Sequence, residues 1–211
     1  FVSVTSLGIL ATVNTTEFTA RKEVWQMLLY APLLRRIQAV IFGCRYQMDL
    51  WVSRYGLGEI ECSYIYNGVN TEHFNPQKSD ALSLDIRSGL EIPNTGLVVG
   101  SVGRFREEKQ YEMVICACVE LREKKGLDVY CLLVGGGKEK QRLKDLVDEL
   151  NCMQYVHLLD AVNDVRPHLD AMDVFVLSSI SETFSNAVLE ALSMEVPVVL
   201  PAVGGCPEMV K

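Results

Sequence analysis

The chain has 211 residues, which is enough for one complete domain or for parts of two. Hydrophobic residues make up 49% of it, so a sizeable core can be buried. No apolar run approaches the ~20 residues that a membrane-spanning helix needs. The net charge of −7 argues against a nucleic-acid-binding protein, because such proteins present a basic face.

The cysteines indicate a reducing compartment. None of the seven belongs to a Cys-x2-Cys pair, and several lie in apolar strand or helix patterns. Buried free thiols are therefore a better interpretation than disulfides or zinc ligands, and a cytoplasmic location is predicted. No signal peptide is expected before Phe1. Because the chain has no initiator Met and stops abruptly at Lys211, it is expected to be a fragment of a longer protein.

The first part of the chain alternates strand and helix patterns. Strands are predicted at residues 8–13, 39–43 and 63–66, with helices at 21–37 and 46–55. The Asn67-Gly68 pair then predicts a turn. Such alternation is typical of a parallel sheet covered by helices, so the α/β class is predicted.

The predicted helix at residues 21–37 has two interpretations. Pro32 interrupts or kinks it, and Arg35-Arg36 lies near its end. Its apolar face consists of Trp25, Leu28, Leu29 and Leu33. Amphipathic helices usually cover a core, which favours packing onto the neighbouring sheet. The alternative is peripheral contact of this N-terminal part with the inner face of a membrane.

A polar stretch at residues 71–95 predicts an interdomain linker, and a second α/β series follows it. The predicted strands are 97–102, 129–134, 155–159, 173–177 and 197–200. The predicted helices lie near 110–124, 139–150, 164–171 and 185–194. Five strands at this spacing predict a doubly wound sheet.

The stretch from Ser179 to Glu190 contains a candidate binding site. It runs from a buried strand through a polar loop into a helix that Ser185 or Asn186 can cap. In open α/β sheets, ligands bind at the carboxyl ends of strands, and N–H groups at a helix start face anions. Glu182 in the loop and Glu190 in the helix are expected to hold two polar groups of one elongated ligand. The alternative is an ordinary pair of surface glutamates.

A charged segment, Gly103-Arg-Phe-Arg-Glu-Glu-Lys109, follows the first strand of the second series. Gly103 lets the backbone approach a ligand, and Arg104 and Lys109 can converge on a diphosphate. The alternative is a solvated charge run at a helix start, although the helix dipole favours acidic residues there.

A glycine-rich turn at residues 134–138 resembles a dinucleotide-binding loop only in part. Such a loop requires an acidic residue ~20 positions further on, and Asp160 lies near that position. The third glycine of the fingerprint, however, would fall at Lys140, so the fingerprint fails. The three histidines lack metal-ligand spacing, and His157 is interpreted as a core or edge residue of an apolar strand. There is also no Asp-x-Asp pair to hold a cation.

Together these segments resemble the donor-binding signature of the large GT-B retaining glycosyltransferase family, family 4. The Glu-x7-Glu stretch from Glu182 to Glu190 is followed by Pro-Val-Val and by Gly204-Gly-Cys-Pro-Glu208, as in the family. The string from Gly103 to Lys109 resembles its Gly-Arg-x4-Lys diphosphate clamp. Gln110 stands where the family often has Gly, and this departure is expected to affect the turn more than the charge.

The resemblance implies an α/β fold of the GT-B type with two Rossmann-like doubly wound domains. The N-terminal domain would be incomplete and the C-terminal one truncated near its end. Residues 1–70 would be the C-terminal part of the acceptor-side domain, 71–95 the interdomain linker and 96–211 the nucleotide-sugar-binding domain. Asn67-Gly-Val-Asn and Phe74-Asn-Pro76 resemble the end of the family's N-terminal domain.

The function that the resemblance implies is sugar transfer in polysaccharide biosynthesis. A hexosyl group would move from a nucleotide-sugar donor to a glycan or lipid-linked acceptor, with retention of configuration and without a metal or other cofactor. Catalytic roles would fall to Arg104, Lys109 and Glu182, with the two cations neutralising the leaving diphosphate. Glu190 would bind ribose hydroxyls. The donor-binding residues would be Gly103, Arg104, Lys109, Gly135, Glu182, Phe184, Ser185, Asn186 and Glu190.

Two other functions stay open at this stage. A sugar-nucleotide epimerase of the same architecture would need acid/base carboxylates or a histidine in its cleft, and a non-catalytic domain would bind a nucleotide-sugar without turnover. Asn14 stands where many relatives have a histidine that touches the donor sugar. Either Asn replaces that histidine, or the match is displaced by a few residues.

Overall fold

The computed structural model describes residues 2–5, 8–13, 37–76 and 86–210, the first two ranges as backbone. The chain divides into two compact units. Unit 1 is drawn from Phe1–Gly68, Ser181–Ser185 and Ala202–Lys211, and unit 2 from Val69–Ile180 and Asn186–Pro201. The predicted helix at 21–37, with its membrane alternative, and Asn14 lie outside the described residues. The domain boundaries at residues 70 and 95 stay predictions.

Unit 1 contains a four-stranded sheet in the order β1-β2-β3-β4. Its elements are β1 (Val2–Thr5), β2 (Gly8–Val13), β3 (Ala39–Phe42), helix α1 (Arg45–Tyr55) and β4 (Glu61–Tyr64). Strand β1 is antiparallel to β2, while β2, β3 and β4 are parallel. Its core is a cluster in which the Phe42 and Trp51 rings meet edge-on at 6.0 Å between centroids.

Two predictions for residues 61–73 need correction. Strand β4 ends at Tyr64 rather than at residue 66, because it pairs residue for residue with β3, which ends at Phe42. The chain does not turn at Asn67-Gly68 but at residues 71–73. There the side-chain oxygen of Asn70 accepts the N–H groups of Glu72 and His73, each at 3.1 Å, and these two hydrogen bonds stabilise the turn.

Unit 2 is built on a five-stranded parallel sheet in the order β7-β6-β5-β8-β9. The strands are β5 (Leu97–Val102), β6 (Val129–Val134), β7 (Val156–Leu159), β8 (Val174–Val176) and β9 (Val198–Val199). The helices are α2 (Tyr111–Lys125), α3 (Lys140–Glu149), α4 (Arg166–Asp170) and α5 (Asn186–Ser193). The predicted doubly wound, Rossmann-like sheet is confirmed.

The strand order of unit 2 reverses at β5. The chain first adds β6 and β7 on one side and then β8 and β9 on the other, and ligands bind at the carboxyl ends of strands beside such a reversal. Arg87 binds the segments at the amino edge of the sheet. Its guanidinium donates to the carbonyl oxygens of Ala171 and Gly96, at 3.0 and 3.2 Å, and to the carboxylate of Asp173 at 2.8 Å. The loops with the predicted site residues Gly103 and Gly135 lie at the opposite, carboxyl edge.

Candidate functional site

The loops after β5 and β6 contact each other at the carboxyl edge of the unit 2 sheet. The N–H of Gly103 donates to the carbonyl of Val134 at 3.0 Å, and the N–H of Phe105 donates to that of Gly136 at 2.9 Å. A Cβ on Gly135 would lie 1.8 Å from the carbonyl oxygen of Gly103, so only glycine fits there. The predicted site residues Gly103 and Gly135 are thus brought together.

Two cavities lie at these loops, and the Gly103–Gly135 pair lines one of them. One, of about 290 Å³, is lined by the pair itself and by apolar side chains after β7. The other, of about 690 Å³, is lined mainly by charged residues: Arg104, Arg106, Glu107, Glu108, Lys138 and Glu139. Arg104 borders both cavities and is exposed. Within the described part of the chain, its guanidinium has no hydrogen-bond or ion-pair partner, so it is available to an anionic ligand.

Lys109 is the last residue of the segment that begins at Gly103. A single 3-10 turn, Glu107–Lys109, precedes α2, and Gln110 between them is left-handed with φ 49°. The side-chain amide of Gln110 donates to the carbonyl of Glu107 at 2.7 Å, which helps to hold a conformation that glycine adopts more readily. Gln110 therefore takes the left-handed conformation itself, and the expected effect of this departure on the turn stays a prediction.

The loop after β8 holds this turn from the other side. The Ser178 hydroxyl donates to the carbonyl of Lys109 at 2.6 Å, and the N–H of Ile180 donates to the carbonyl of Glu108 at 2.9 Å. The segment with both predicted cations is consequently fixed where the strand order reverses, between the β6 loop and the β8 loop.

Glu190 lies in the second turn of α5, which begins at Asn186. The residue is half-buried, and no hydrogen-bond or ion-pair partner of its carboxyl is found among the residues described. Burial raises the pKa of the Glu190 carboxyl above its usual value, because desolvation disfavours the charged form. A partly desolvated acceptor of this kind suits the hydroxyl groups of a ligand.

The loop with Glu182, Phe184 and Ser185 belongs to unit 1. Glu182 is half-buried, and the Phe184 ring stacks on Tyr66 with 4.7 Å between centroids. Ser185 is buried. The predicted donor-binding residues therefore fall into two groups, this one and the group in unit 2, which contains Gly103, Arg104, Lys109, Gly135, Asn186 and Glu190. The roles assigned to them stay predictions.

Glu208 is a residue whose contacts sequence reasoning missed. Its carboxylate accepts the N–H groups of Arg45 and Tyr46 at 2.9 and 2.7 Å and the hydroxyl of Tyr66 at 2.8 Å. The hydrogen bond to Glu208 raises the pKa of Tyr66 to about 12. One sequence signal pointed to such a partner, because α1 has no acidic residue in its own first turn.

Other candidates from the sequence have structural roles. Asp160 forms an ion pair with Lys140, the residue at which the dinucleotide fingerprint fails, and this contact lowers the pKa of Asp160. His157 lies half-buried in the edge strand β7, as predicted, and burial lowers its pKa. The seven cysteines are free thiols, and five of them are buried.

Neither a metal centre nor a membrane span is found in the described ranges. No cluster of three or more His, Cys, Asp or Glu side chains there is arranged to hold a metal ion. In those same ranges, no helix has the length and apolar character needed to cross a bilayer.

Comparison with curated proteins finds relatives that are named as glycosyltransferases. The lipopolysaccharide core biosynthesis glycosyltransferase LpsE of Rhizobium meliloti is 37% identical over 113 residues, which are 54% of this chain and 32% of that protein. The O-antigen biosynthesis glycosyltransferase WclY of Escherichia coli is 28% identical over 135 residues, 64% of this chain and 36% of that protein. The chain therefore spans about a third of the length of these relatives.

Comparison with solved structures supports the fold. HepE of Anabaena, crystallised with UDP, matches with a TM-score of 0.83 at 21% identity, covering 96% of this chain and 55% of HepE. This agreement confirms the predicted α/β architecture of the GT-B type. A family model described as glycosyl transferases group 1 matches residues 62–211, which is more than half of the chain and includes every predicted site residue. The chain belongs to the glycosyl transferases group 1 family.

Proposed function

We propose that the protein transfers a sugar from a nucleotide-sugar donor to a glycan or lipid-linked acceptor in polysaccharide biosynthesis. The observation that carries this proposal is Arg104. Its guanidinium has no partner among the described residues, and it borders two cavities, one of them lined by the Gly103–Gly135 pair, where the strand order reverses. The relatives named for lipopolysaccharide core and O-antigen biosynthesis support the same chemistry.

In the proposed mechanism, protein charges stabilise the leaving group. Arg104 and Lys109 neutralise the negative charge that grows on the diphosphate as its bond to the sugar breaks. Preorganised groups of this kind lower the barrier because they need no reorganisation during the reaction. The half-buried carboxyl of Glu190 accepts hydrogen bonds from ribose hydroxyls, and Glu182 faces the sugar. Backbone N–H groups near Phe184 and Asn186 bind phosphate or sugar oxygens.

The finer features of the proposal follow the family 4 resemblance. Transfer retains the anomeric configuration, concerns a hexosyl group and needs no divalent cation, because the two protein cations act where a metal ion would otherwise stabilise the diphosphate. The proposed location is the cytoplasm, and peripheral contact at the inner face of the membrane is the alternative. Structures of HepE contain UDP or UDP-glucose, which makes UDP-sugars the first donors to test.

A transfer assay tests the proposal. The full-length protein is incubated with labelled UDP-, GDP- and ADP-sugars and with glycan or lipid-linked acceptors, with and without excess EDTA. We expect labelled product of retained configuration under both conditions. Epimerised donor would indicate a sugar-nucleotide epimerase, and binding without turnover a non-catalytic domain. Activity that disappears with EDTA and returns with Mg²⁺ or Mn²⁺ would contradict metal independence.

A further inference from the structure

Glu208 anchors the segment after β9 to helix α1 within unit 1. The carboxylate accepts the backbone N–H groups of Arg45 and Tyr46, in the first turn of a helix with no acidic residue of its own there. The cap residue Cys44 offers only a thiol, which accepts the N–H of Gln47 at 3.4 Å. Glu208 therefore supplies the negative charge that the helix dipole favours, through short charge-assisted hydrogen bonds.

Tyr66 links Glu208 to the loop that carries Glu182. Its hydroxyl donates to Glu208 at 2.8 Å, while its ring stacks on Phe184 at 4.7 Å with 17° between the planes. The neighbouring Asn67 amide donates to the carbonyl of Phe184 at 3.3 Å. Phe184 is thereby held both by its ring and by its backbone.

The glycines just before Glu208 contact the same loop directly. The N–H of Gly205 donates to the carbonyl of Thr183 at 3.1 Å. Gly204 has a φ of 52°, and a Cβ on it would lie 1.7 Å from the carbonyl oxygen of Glu182. No side chain fits between these backbones, so the position of the Glu182 loop depends on where the Gly204–Glu208 segment lies.

We propose that Glu208 is a positioning residue for sugar transfer, which it serves by fixing the loop of residues 181–185 through Tyr66 and through the Gly204-Gly205 backbone. This inference rests on the proposed function, in which Glu182 faces the sugar. Glu208 acts through its three hydrogen bonds and touches neither donor nor acceptor. A displacement of about 1 Å in such a group is enough to slow a reaction on the order of 10²-fold.

The test compares Glu208→Ala, Glu208→Gln and Tyr66→Phe in the full-length protein. We expect Glu208→Ala to lower kcat for sugar transfer by ~10- to 100-fold while the affinity for UDP, measured by titration calorimetry, is unchanged. Glu208→Gln keeps one acceptor oxygen and should restore part of kcat. Tyr66→Phe keeps the ring stacking but removes the hydroxyl. The double variant that combines Tyr66→Phe with Glu208→Ala should lose little more kcat than Glu208→Ala alone.

A matched control and a second measurement make the result decisive. Asp49→Asn removes one negative charge from an exposed side chain on α1 and should leave kcat unchanged. Hydrogen–deuterium exchange of residues 181–185 should rise in Glu208→Ala and stay at the wild-type level in the control. Unchanged exchange, or a kcat loss matched by an equal loss of UDP affinity and a lower Tm, would overturn the inference. Absence of transfer by the wild-type protein would overturn the proposed function, while the exchange measurement would still decide the role of Glu208.

Discussion

Arg104 and Arg106 are two residues apart, yet their guanidinium groups differ in their partners. Arg106 forms an ion pair with Glu108 at 3.5 Å, whereas Arg104 has no such partner in the described ranges. Glu190 and Glu208 differ in the same way, because Glu208 accepts three hydrogen bonds and the Glu190 carboxyl none from described residues. Charged groups that have no partner among the described residues are the better candidates for ligand contacts.

Replacing Arg104 or Lys109 by alanine should slow sugar transfer and leave the fold intact. The expected loss in kcat/KM is ~10²–10³-fold, the usual scale for removing one preorganised charge partner of a developing anion. Steady-state kinetics of the full-length variants gives the measurement, with circular dichroism to check folding. Lys124→Ala, which removes an exposed cation paired with Glu120 on α2, is the control. Unchanged kcat/KM in both site variants would refute the diphosphate clamp.

Glu190→Gln should stabilise the ligand-free protein and weaken nucleotide binding. Burial raises the pKa of the Glu190 carboxyl in the folded protein. Ionisation of this carboxyl therefore lowers the stability of the fold as pH rises through that pKa. The Gln side chain has a neutral amide and avoids this loss. The Tm at pH 7 should therefore rise, and the gain should shrink as pH falls and the wild-type carboxyl becomes protonated. UDP affinity should fall roughly tenfold, because a charged acceptor bonds hydroxyls more strongly than a neutral one.

Thermal melts between pH 4 and pH 8 and calorimetric UDP titrations check this prediction. Glu149→Gln, an exposed position at the end of α3, serves as the control and should change neither quantity. A lower Tm at pH 7 for Glu190→Gln, or wild-type UDP affinity, would show that the Glu190 carboxyl has a structural rather than a ligand-binding role.

At the scale of elements, the two edges of the unit 2 sheet are held by different kinds of contact. Arg87 and Asp173 join the amino ends of β5 and β8, and Asp173 also accepts the N–H of Val98 at 2.7 Å. At the carboxyl edge, the loops after β5 and β6 contact each other through backbone hydrogen bonds. The amino ends of β5 and β8 are therefore joined by side-chain contacts, and the carboxyl ends of β5 and β6 by contacts between their loops.

Gly135→Ala tests the contact between the β5 and β6 loops. The added Cβ would lie 1.8 Å from the Gly103 carbonyl oxygen, so the two loops must separate. We expect a loss of about 1–3 kcal/mol in the free energy of unfolding, the usual effect of inserting a methyl group into a packed site. UDP binding should weaken as well, because the glycine pair lines the smaller cavity.

Urea unfolding and UDP titration provide the two measurements for Gly135→Ala. Gly89→Ala is the matched control, because a Cβ at Gly89 meets no atom within 4 Å and the variant should be no less stable than the wild type. Wild-type stability and UDP affinity in Gly135→Ala would mean that the loops are less closely packed than the structure indicates.

At the scale of the whole molecule, the predicted donor-binding residues are divided between the two units, with Glu182, Phe184 and Ser185 in unit 1. The chain also spans only about a third of the length of its curated relatives LpsE and WclY. Positioning of donor and acceptor is thus proposed to need residues outside the 211 that are present here.

The 211-residue chain alone is predicted to bind nucleoside diphosphates weakly and to transfer no sugar. Exposed apolar sheet faces should also make it prone to aggregation. Isothermal titration with UDP, GDP and ADP, a transfer assay and light scattering are the measurements, with the full-length protein as the control. Turnover by the isolated chain at the full-length rate would show that the complete catalytic centre lies within residues 1–211.

The sequence by itself determined the local features of this protein. The alternation of apolar strands and amphipathic helices between residues 97 and 200 predicted the five strands and four α-helices of that region, because hydrophobic periodicity is a property of short segments. The failure of the dinucleotide fingerprint at Lys140 was visible in the same way, and the structure pairs that lysine with Asp160. The strand from Ser63 to Tyr66 was misplaced because its limits depend on its partner strand.

Only the tertiary structure decided which distant segments meet. Glu208 lies 163 positions from Arg45 in the sequence, yet it accepts the N–H at the start of the Arg45 helix and connects it to the Glu182 loop. The contact of Gly103 with Gly135 likewise follows from β5 and β6 lying side by side. Such contacts depend on the order of the strands and the packing of the whole chain, and no local pattern of residues contains that information.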